Sequence, residues 1–161
     1  MDPADQIPTN DANYPLNTVF GAYHDINPAV APAAPDRINY FVNGVAPFRI
    51  FVLNFNAVPQ FGCNELLTTQ QILLYESLNV IDVNIINKPV CDTWNGGLAA
   101  IGLQGNNLTE FSVPEDRNVG VWDVTNENWR FVPNGGPVTN ASVFEWRDAA
   151  GNVLSNDPLF T

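Results

Sequence analysis

Residues 63–91, CNELLTTQQILLYESLNVIDVNIINKPVC, decide how the chain is read. In the second half, Ile81, Val83 and Ile85 fall on one face while Asp82 and Asn84 fall on the other, the period-two pattern of a sheet covered on one side. The first half, Gln71 to Glu76, is apolar on both faces, which predicts a strand lying deeper in the structure. Ser77-Leu78-Asn79 supplies turn-tolerant residues between them. The stretch therefore predicts a β-hairpin bracketed by Cys63 and Cys91.

These are the only two cysteines of the chain, so one pairing is available. If oxidised, they would close a loop worth about 3 kcal/mol of chain entropy and point to a compartment outside the cytosol. The alternative is a pair of buried free thiols, which are common in cores.

Outward from the hairpin the same grammar continues. Leu16 to Ile26 turns apolar and aromatic and opens a first strand, while Asn27 to Asp36 carries three prolines and reads as a loop. Ile38 to Asn43, an Asn43-Gly44 turn and Phe48 to Phe55 form a second pair of strands. A break is expected at Pro59 to Cys63 and another at Thr93 to Gly97. Leu98 to Leu103, Leu108 to Val113 and Asn128 to Val132 supply further strands, with a charged loop at Pro114 to Asn118. Thirteen prolines and eleven glycines spread among short apolar runs, with no apolar stripe of helical period, predict an all-β chain of many turns.

The expected architecture is a two-layer antiparallel β-sandwich over residues 17–133. Residues 1–16 form an extended lead-in, 134–140 a linker, and 141–161 a terminal hairpin that could begin an immunoglobulin-like module. At 161 residues the chain is long enough to bury a proper core. Nothing at the start has the basic and apolar regions of a leader, and no apolar run is long enough to span a bilayer. A secreted-looking body with a bare Met1 suggests a fragment of a longer protein.

The net charge of −11, with six Lys and Arg residues in all, argues against nucleic acid as a partner, because phosphate binding needs clustered cations. Such a surface keeps a secreted protein soluble. It could also hold calcium through hard oxygen ligands, and Glu115, Asp116 and Asp123 are the candidates, although no Asp-x-Asp-x-Asp-Gly frame supports them.

Catalysis has little to stand on. His24 is the sole histidine, which rules out a zinc site built on paired histidines, and no serine lies in a nucleophile elbow. With Asp25 it reads as a hydrogen-bonded pair at a strand end. Glu65, Glu76, Glu110 and Glu145 are the carboxylates a hydrolase would have to pair across a cleft, and they have no local signature for it. The chain is read as not being an enzyme. Trp94, beside Asn95-Gly96-Gly97, is the tryptophan best placed to be exposed and to stack on a sugar face, with Asn95 as its polar neighbour. Asn107-Leu108-Thr109 and Asn140-Ala141-Ser142 match the N-glycosylation pattern.

The segments from Asn17 to Pro28 (NTVFGAYHDINP), Val45 to Val52 (VAPFRIFV), Gln71 to Glu76 (QILLYE), Cys91 to Gly97 (CDTWNGG), Ala100 to Gln104 (AIGLQ) and Asn126 to Phe131 (NENWRF), in this order, resemble modules of large secreted surface proteins of Bacteroidota, of the adhesin and gliding-motility-associated type. The same order resembles, more distantly, the extracellular nidogen-like domain. The resemblance covers about residues 17–133, and the tail from Ala141 is similar to the first hairpin of an immunoglobulin-like module in those proteins. It implies a non-catalytic structural or adhesive module at a bacterial cell surface, strung among neighbouring modules of the same protein, with no catalytic residues to transfer and no cofactor. The alternative is a carbohydrate-binding module that meets cell-surface glycans through Trp94, assisted by calcium. Neither reading has the chain insert into a membrane.

Overall fold

The structure is a computed structural model that describes residues 6–30 and 37–133, together with the backbone of 146–147 and 153–155. Its main body holds nine strands, β1 (Thr18–Tyr23), β2 (Ile38–Asn43), β3 (Ile50–Gln60), β4 (Cys63–Tyr75), β5 (Val80–Lys88), β6 (Leu98–Gln104), β7 (Phe111–Ser112), β8 (Gly120–Val121) and β9 (Val124–Phe131). A single 3-10 turn at Asn95–Gly97 precedes β6. No described helix is long and apolar enough to cross a membrane.

The strands form two antiparallel sheets, as the alternation predicted. The large sheet runs β2-β3-β4-β5-β9, and the small one β1-β6-β7 with β8 also paired to β6. Strand β4 is the middle strand of the five, yet its apolar residues are not covered on both faces as its sequence suggested: Ile72 is buried, whereas Leu74 is 37% exposed. Its partner β5 is in register through Ile72 opposite Val83, Leu74 opposite Ile81 and Gln71 opposite Asn84. The turn between them places Ser77 and Asn79 at φ of 63° and 52°, a conformation asparagine tolerates better than most residues. Cys63 and Cys91 are joined, so the hairpin is stapled across the ends remote from that turn.

The main core lies between the layers. Ala22 from β1 and Ala99 and Ile101 from β6 meet Ile72, Val83, Ile85 and Phe131 of the large sheet, with Trp122 closing one side. Full burial of each branched side chain stabilises by about 1.5–3 kcal/mol before entropy is counted. The alanines of the small sheet let the two layers approach closely.

Several boundaries differ from expectation. Strand β3 passes the expected stop at Phe55 and continues to Gln60, because a bulge between Phe55 and Val58, with Ala57 at φ 50°, resets the ladder ahead of Pro59. Strand β7 shrinks to Phe111–Ser112. Strand β9 begins at Val124 and lies along β5, making it the far edge of the large sheet.

The described part of the segment read as an extended lead-in, residues 6–16, packs on the outer face of the small sheet. Ile7 and Tyr14 join Phe20 and Ala100 in a second buried cluster. Asn118 donates to the Ile7 carbonyl at 2.9 Å and accepts its amide at 2.8 Å. Gln104 does the same for Thr9, at 3.0 and 2.8 Å. Each amide side chain thus stands in for a neighbouring strand, and proline-broken backbone is held without a ladder.

Toward the C-terminus, β10 (Trp146–Arg147) and β11 (Val153–Ser155) pair antiparallel, as expected of the terminal hairpin. The linker expected at 134–140 lies outside the described residues.

Candidate functional site

Beyond β1 the chain crosses from the small sheet to the large one through His24 and Asp25, and Ile26 makes a bridge to Gln60. This crossing brings His24 and Asp25 beside the disulfide and the turn that carries Trp94 and Asn95. The four residues line one small cleft together with Gln60, Phe61, Lys88 and Cys91.

Trp94 is fixed from two sides. Its indole Nε1 donates to Asp25 Oδ2 at 2.9 Å, and its ring meets that of Phe61 at 4.8 Å between centroids, tilted by 52°. Gly62 lies under it at φ 79°, and a Cβ there would sit 2.8 Å from the Trp94 Cβ, so only glycine fits. The indole retains 39% of its surface exposed, beside an exposed Phe61. The residue is neither a core tryptophan nor a free platform: it is a held aromatic edge with a carboxylate at its polar end. Asn95, at φ 50°, turns inward, and its Nδ2 is buried without a protein acceptor. The cleft itself has room for about one water, about 10 Å³, so a sugar ring could engage only the outer rim.

Behind the cleft lies a buried polar group that sequence reasoning did not single out. His24 Nε2 is 3.0 Å from Thr68 Oγ1, and burial, assisted by the charge of Lys88, pushes the imidazole down to about 4. His24 and Asp25 are bonded as expected of a pair at a strand end, but through the Asp25 backbone, while the Asp25 carboxylate holds Trp94. Lys88 is 1% exposed. Its Nζ donates to the Trp122 carbonyl at 2.7 Å and stands 4.5 Å above the Trp122 ring. Burial lowers the ammonium to about 8 against the opposing pull of Asp123. Gln60 completes the group by donating to the Pro89 carbonyl at 2.7 Å. A sequence signal for Lys88 existed, since it is the chain's single lysine and stands at the end of a buried strand.

Among the described residues no serine hydroxyl lies on His24. The hydroxyl on His24 belongs to Thr68, which is itself buried. Ser77 donates to the Pro47 carbonyl at the far turn, and Ser112 is exposed on β7. Of the acids proposed for a paired site, Glu76 is clamped by Arg49 at 2.6 and 2.8 Å, which holds it down at about 2. Glu145 lies outside the described residues.

Glu115, Asp116 and Asp123 are not gathered into a cage. No three of His, Cys, Asp and Glu among the described residues converge as metal ligands would. Asp116 sits in a turn at φ 57°, and its carbonyl accepts from Arg117. Arg117 reaches Glu127 through two contacts of 2.6 and 2.8 Å and covers the Trp122 ring at 5.0 Å. Cations of the protein itself occupy this corner.

The outer face of the large sheet carries a second polar array. Register places Asn39, Asn54, Gln71, Asn84 and Asn128 in one row across all five strands. Asn54 donates to Asn39 at 2.9 Å, Gln71 to Asn54 at 2.7 Å, and Asn128 to Asn84. The next row on this face holds Leu73, Asp82 and Arg130, with Arg130 forming two contacts of 2.7 Å to Asp82, and Tyr75 reaches Asp82 diagonally at 2.9 Å. Arg130 and Tyr75 together hold the Asp82 carboxyl below its ordinary range. These groups bond one another across strands and are largely spent on the sheet.

Compared with known proteins, the chain matches the model of a family described as NIDO related over residues 3–148. No curated protein and no solved structure matches it.

Proposed function

The chain belongs to the NIDO-related family, and from that premise we propose that it is a non-catalytic structural module of a large extracellular surface protein, of the adhesive type. The observation that carries this reading is where the polar side chains are spent. The amide row, the Asp82–Arg130 and Arg49–Glu76 pairs, and the backbone clamps of Gln104 and Asn118 all tie one strand or segment to another. The disulfide adds a covalent tie of the same kind. Cross-strand pairs of this sort are worth only some tenths of a kcal/mol each, but together they resist shear between strands. An extracellular location suits a module with a disulfide, and the bacterial cell surface is the setting that the resemblance to Bacteroidota adhesins suggests.

Pulling single molecules by their termini tests this reading. An oxidised chain should withhold the segment between the cysteines, which are 28 positions apart in sequence, and reduction should release about 90–100 Å of additional contour length with a drop in unfolding force. Unfolding at negligible force in the oxidised state would count against a load-bearing role.

A carbohydrate-binding reading is favoured by one observation, the exposed Trp94–Phe61 pair beside Asp25 and Asn95. A glycan array probed with calcium and again with chelator separates the two. Saturable binding lost on Trp94→Ala supports the lectin-like reading, with calcium dependence implicating the acidic residues. A blank array in both buffers leaves the structural module.

A further inference from the structure

The two layers do not match in width. In the large sheet, Ile38, Tyr40 and Val42 of β2 stand opposite Phe55, Leu53 and Phe51 of β3, which in turn face Gln70, Ile72 and Leu74 of β4. Ile72 belongs to the core between the layers, so this whole face is the inward one. Strands β1 and β6 of the small sheet cover it over β4, β5 and β9 and leave β2 bare. Tyr40 is 72%, Val42 55% and Ile38 40% exposed, and Leu74 beside them is exposed as well. Tyr40 stacks on Phe51 at 5.7 Å, extending the apolar floor. Where the small sheet stops, an apolar groove of about 530 Å³ opens between Val19 and Gly21 of β1 and Leu53, Phe55 and Ile72 below.

Among the described residues, the large sheet thus has a strand with no cover, and the small sheet has a strand-sized gap beside β1. We propose that a second copy of this chain fills both. In a two-fold arrangement the β2–β3 face of each copy packs on the β2–β3 face of the other, and β2 of each enters the gap beside the partner copy's β1. One symmetric contact then satisfies surplus and deficit together, as isologous interfaces require. The layers would meet as the sheets of a sandwich do.

Area and charge support this occupant. The bare face sets Ile38, Tyr40, Val42 and Leu74 side by side, all exposed, a contiguous apolar patch of the kind that monomers seldom leave open and that suits the core of a standard interface of roughly 800 Å² per partner. No charged residue occurs from Ile38 to Phe48, in a chain of net charge −11. Two copies repel at most other surfaces and can approach here. Edge strands are ordinarily blunted by charge, and β2 carries none.

Sedimentation velocity on the full chain over a concentration series tests the proposal. Wild-type protein should sediment as a dimer at the upper concentrations, and Tyr40→Glu with Val42→Glu should give a monomer of unchanged circular dichroism. Phe41→Ser, on the opposite face of the same strand, should leave the dimer intact. A wild-type monomer at every concentration, a dimer indifferent to the double substitution, or one lost equally with Phe41→Ser overturns it.

Discussion

The side-chain amide of Gln70, on β4, closes two hydrogen bonds on the backbone of Ala22, on β1: the Ala22 amide donates to Oε1 at 2.6 Å, and Nε2 donates to the Ala22 carbonyl at 3.2 Å. The β1–β6 register shifts between Phe20 and Tyr23, so Ala22 sits in the bulge. A glutamine from the opposite layer holds the backbone of that bulge. Gly21 makes room for it, because a Cβ there would stand 2.6 Å from Oε1.

Replacing Gln70 by leucine should therefore cost more than a polar-to-apolar change in a core usually does. It leaves a buried donor and a buried acceptor unmet, about 2–4 kcal/mol in all. Urea denaturation should show a lower midpoint with an unchanged slope, and Gly21→Ala should destabilise through the same contact. A Gln70→Leu midpoint equal to wild type would show that the clamp contributes nothing.

Cys63→Ser removes the staple. The loop spans 28 residues of sequence separation, and the chain-entropy relation gives about 3–4 kcal/mol for a loop of that length. Thermal unfolding under non-reducing conditions should show the loss, and wild-type protein with reductant should fall to the same stability. An unchanged melting temperature in the substituted protein would remove the disulfide from the account of what holds the fold.

The parts of this molecule that could be read from sequence are those governed by period two. Ile81, Val83 and Ile85 alternate with Asp82 and Asn84, and the hairpin, the staple and the all-β class followed from that. Gln70 was missed because it lies in the inward phase of Ile72, where alternation calls for an apolar residue and its true partner is a bulge in another strand. Ile7 and Tyr14 were missed because prolines around them mask any period, while their segment is anchored at Ile7 by Asn118 and at Thr9 by Gln104, each more than ninety residues away. Strand β2 alternates like a covered strand, and its bare face comes from the width of the other layer, which no local pattern records. At the candidate site, Trp94 was legible as an exposed turn residue. Its hold by Asp25 and Phe61, and the buried Lys88 behind it, depend on the crossing of the chain between layers.

Acid should weaken the fold through His24 before the carboxylates take part. In the folded chain the imidazole is lowered to about 4 by burial and by Lys88, whereas an unfolded histidine titrates near 6.5. Between these values the unfolded state binds the proton and the folded state does not. Stability is then fully present above about pH 6.5 and falls toward pH 4, by up to about 3 kcal/mol. The slope between pH 6.5 and 5 is the cleanest part, since Asp82 and Glu127 are held below their ordinary ranges. His24→Gln, which retains a polar group toward Thr68, should flatten that slope in a urea series taken at several pH values. A slope unchanged by the substitution would assign the loss to other groups.

Lys88 should produce the opposite edge of the stability profile. Burial lowers its ammonium to about 8, while in the unfolded chain it remains protonated to about 10.4. In the window between, the unfolded state again carries the extra proton, so stability rises with pH from about 8 to 10, by up to about 3 kcal/mol over the full shift. Tyr75 works against this above its ordinary range: hydrogen bonding to Asp82 raises the folded phenol, so there the folded state holds the extra proton and stability falls as pH rises. The measurement is therefore best confined to pH 8–10. Lys88→Met removes the titrating group, and leaves the Trp122 carbonyl without the donor that now stands 2.7 Å away. Its midpoint can move either way, since a buried charge and a buried hydrogen bond disappear together. The slope has only one expected direction: the alkaline rise expected of the wild type should vanish. If the rise persists in Lys88→Met, the buried ammonium is not its source, and the lysine is folded in with its charge already compensated.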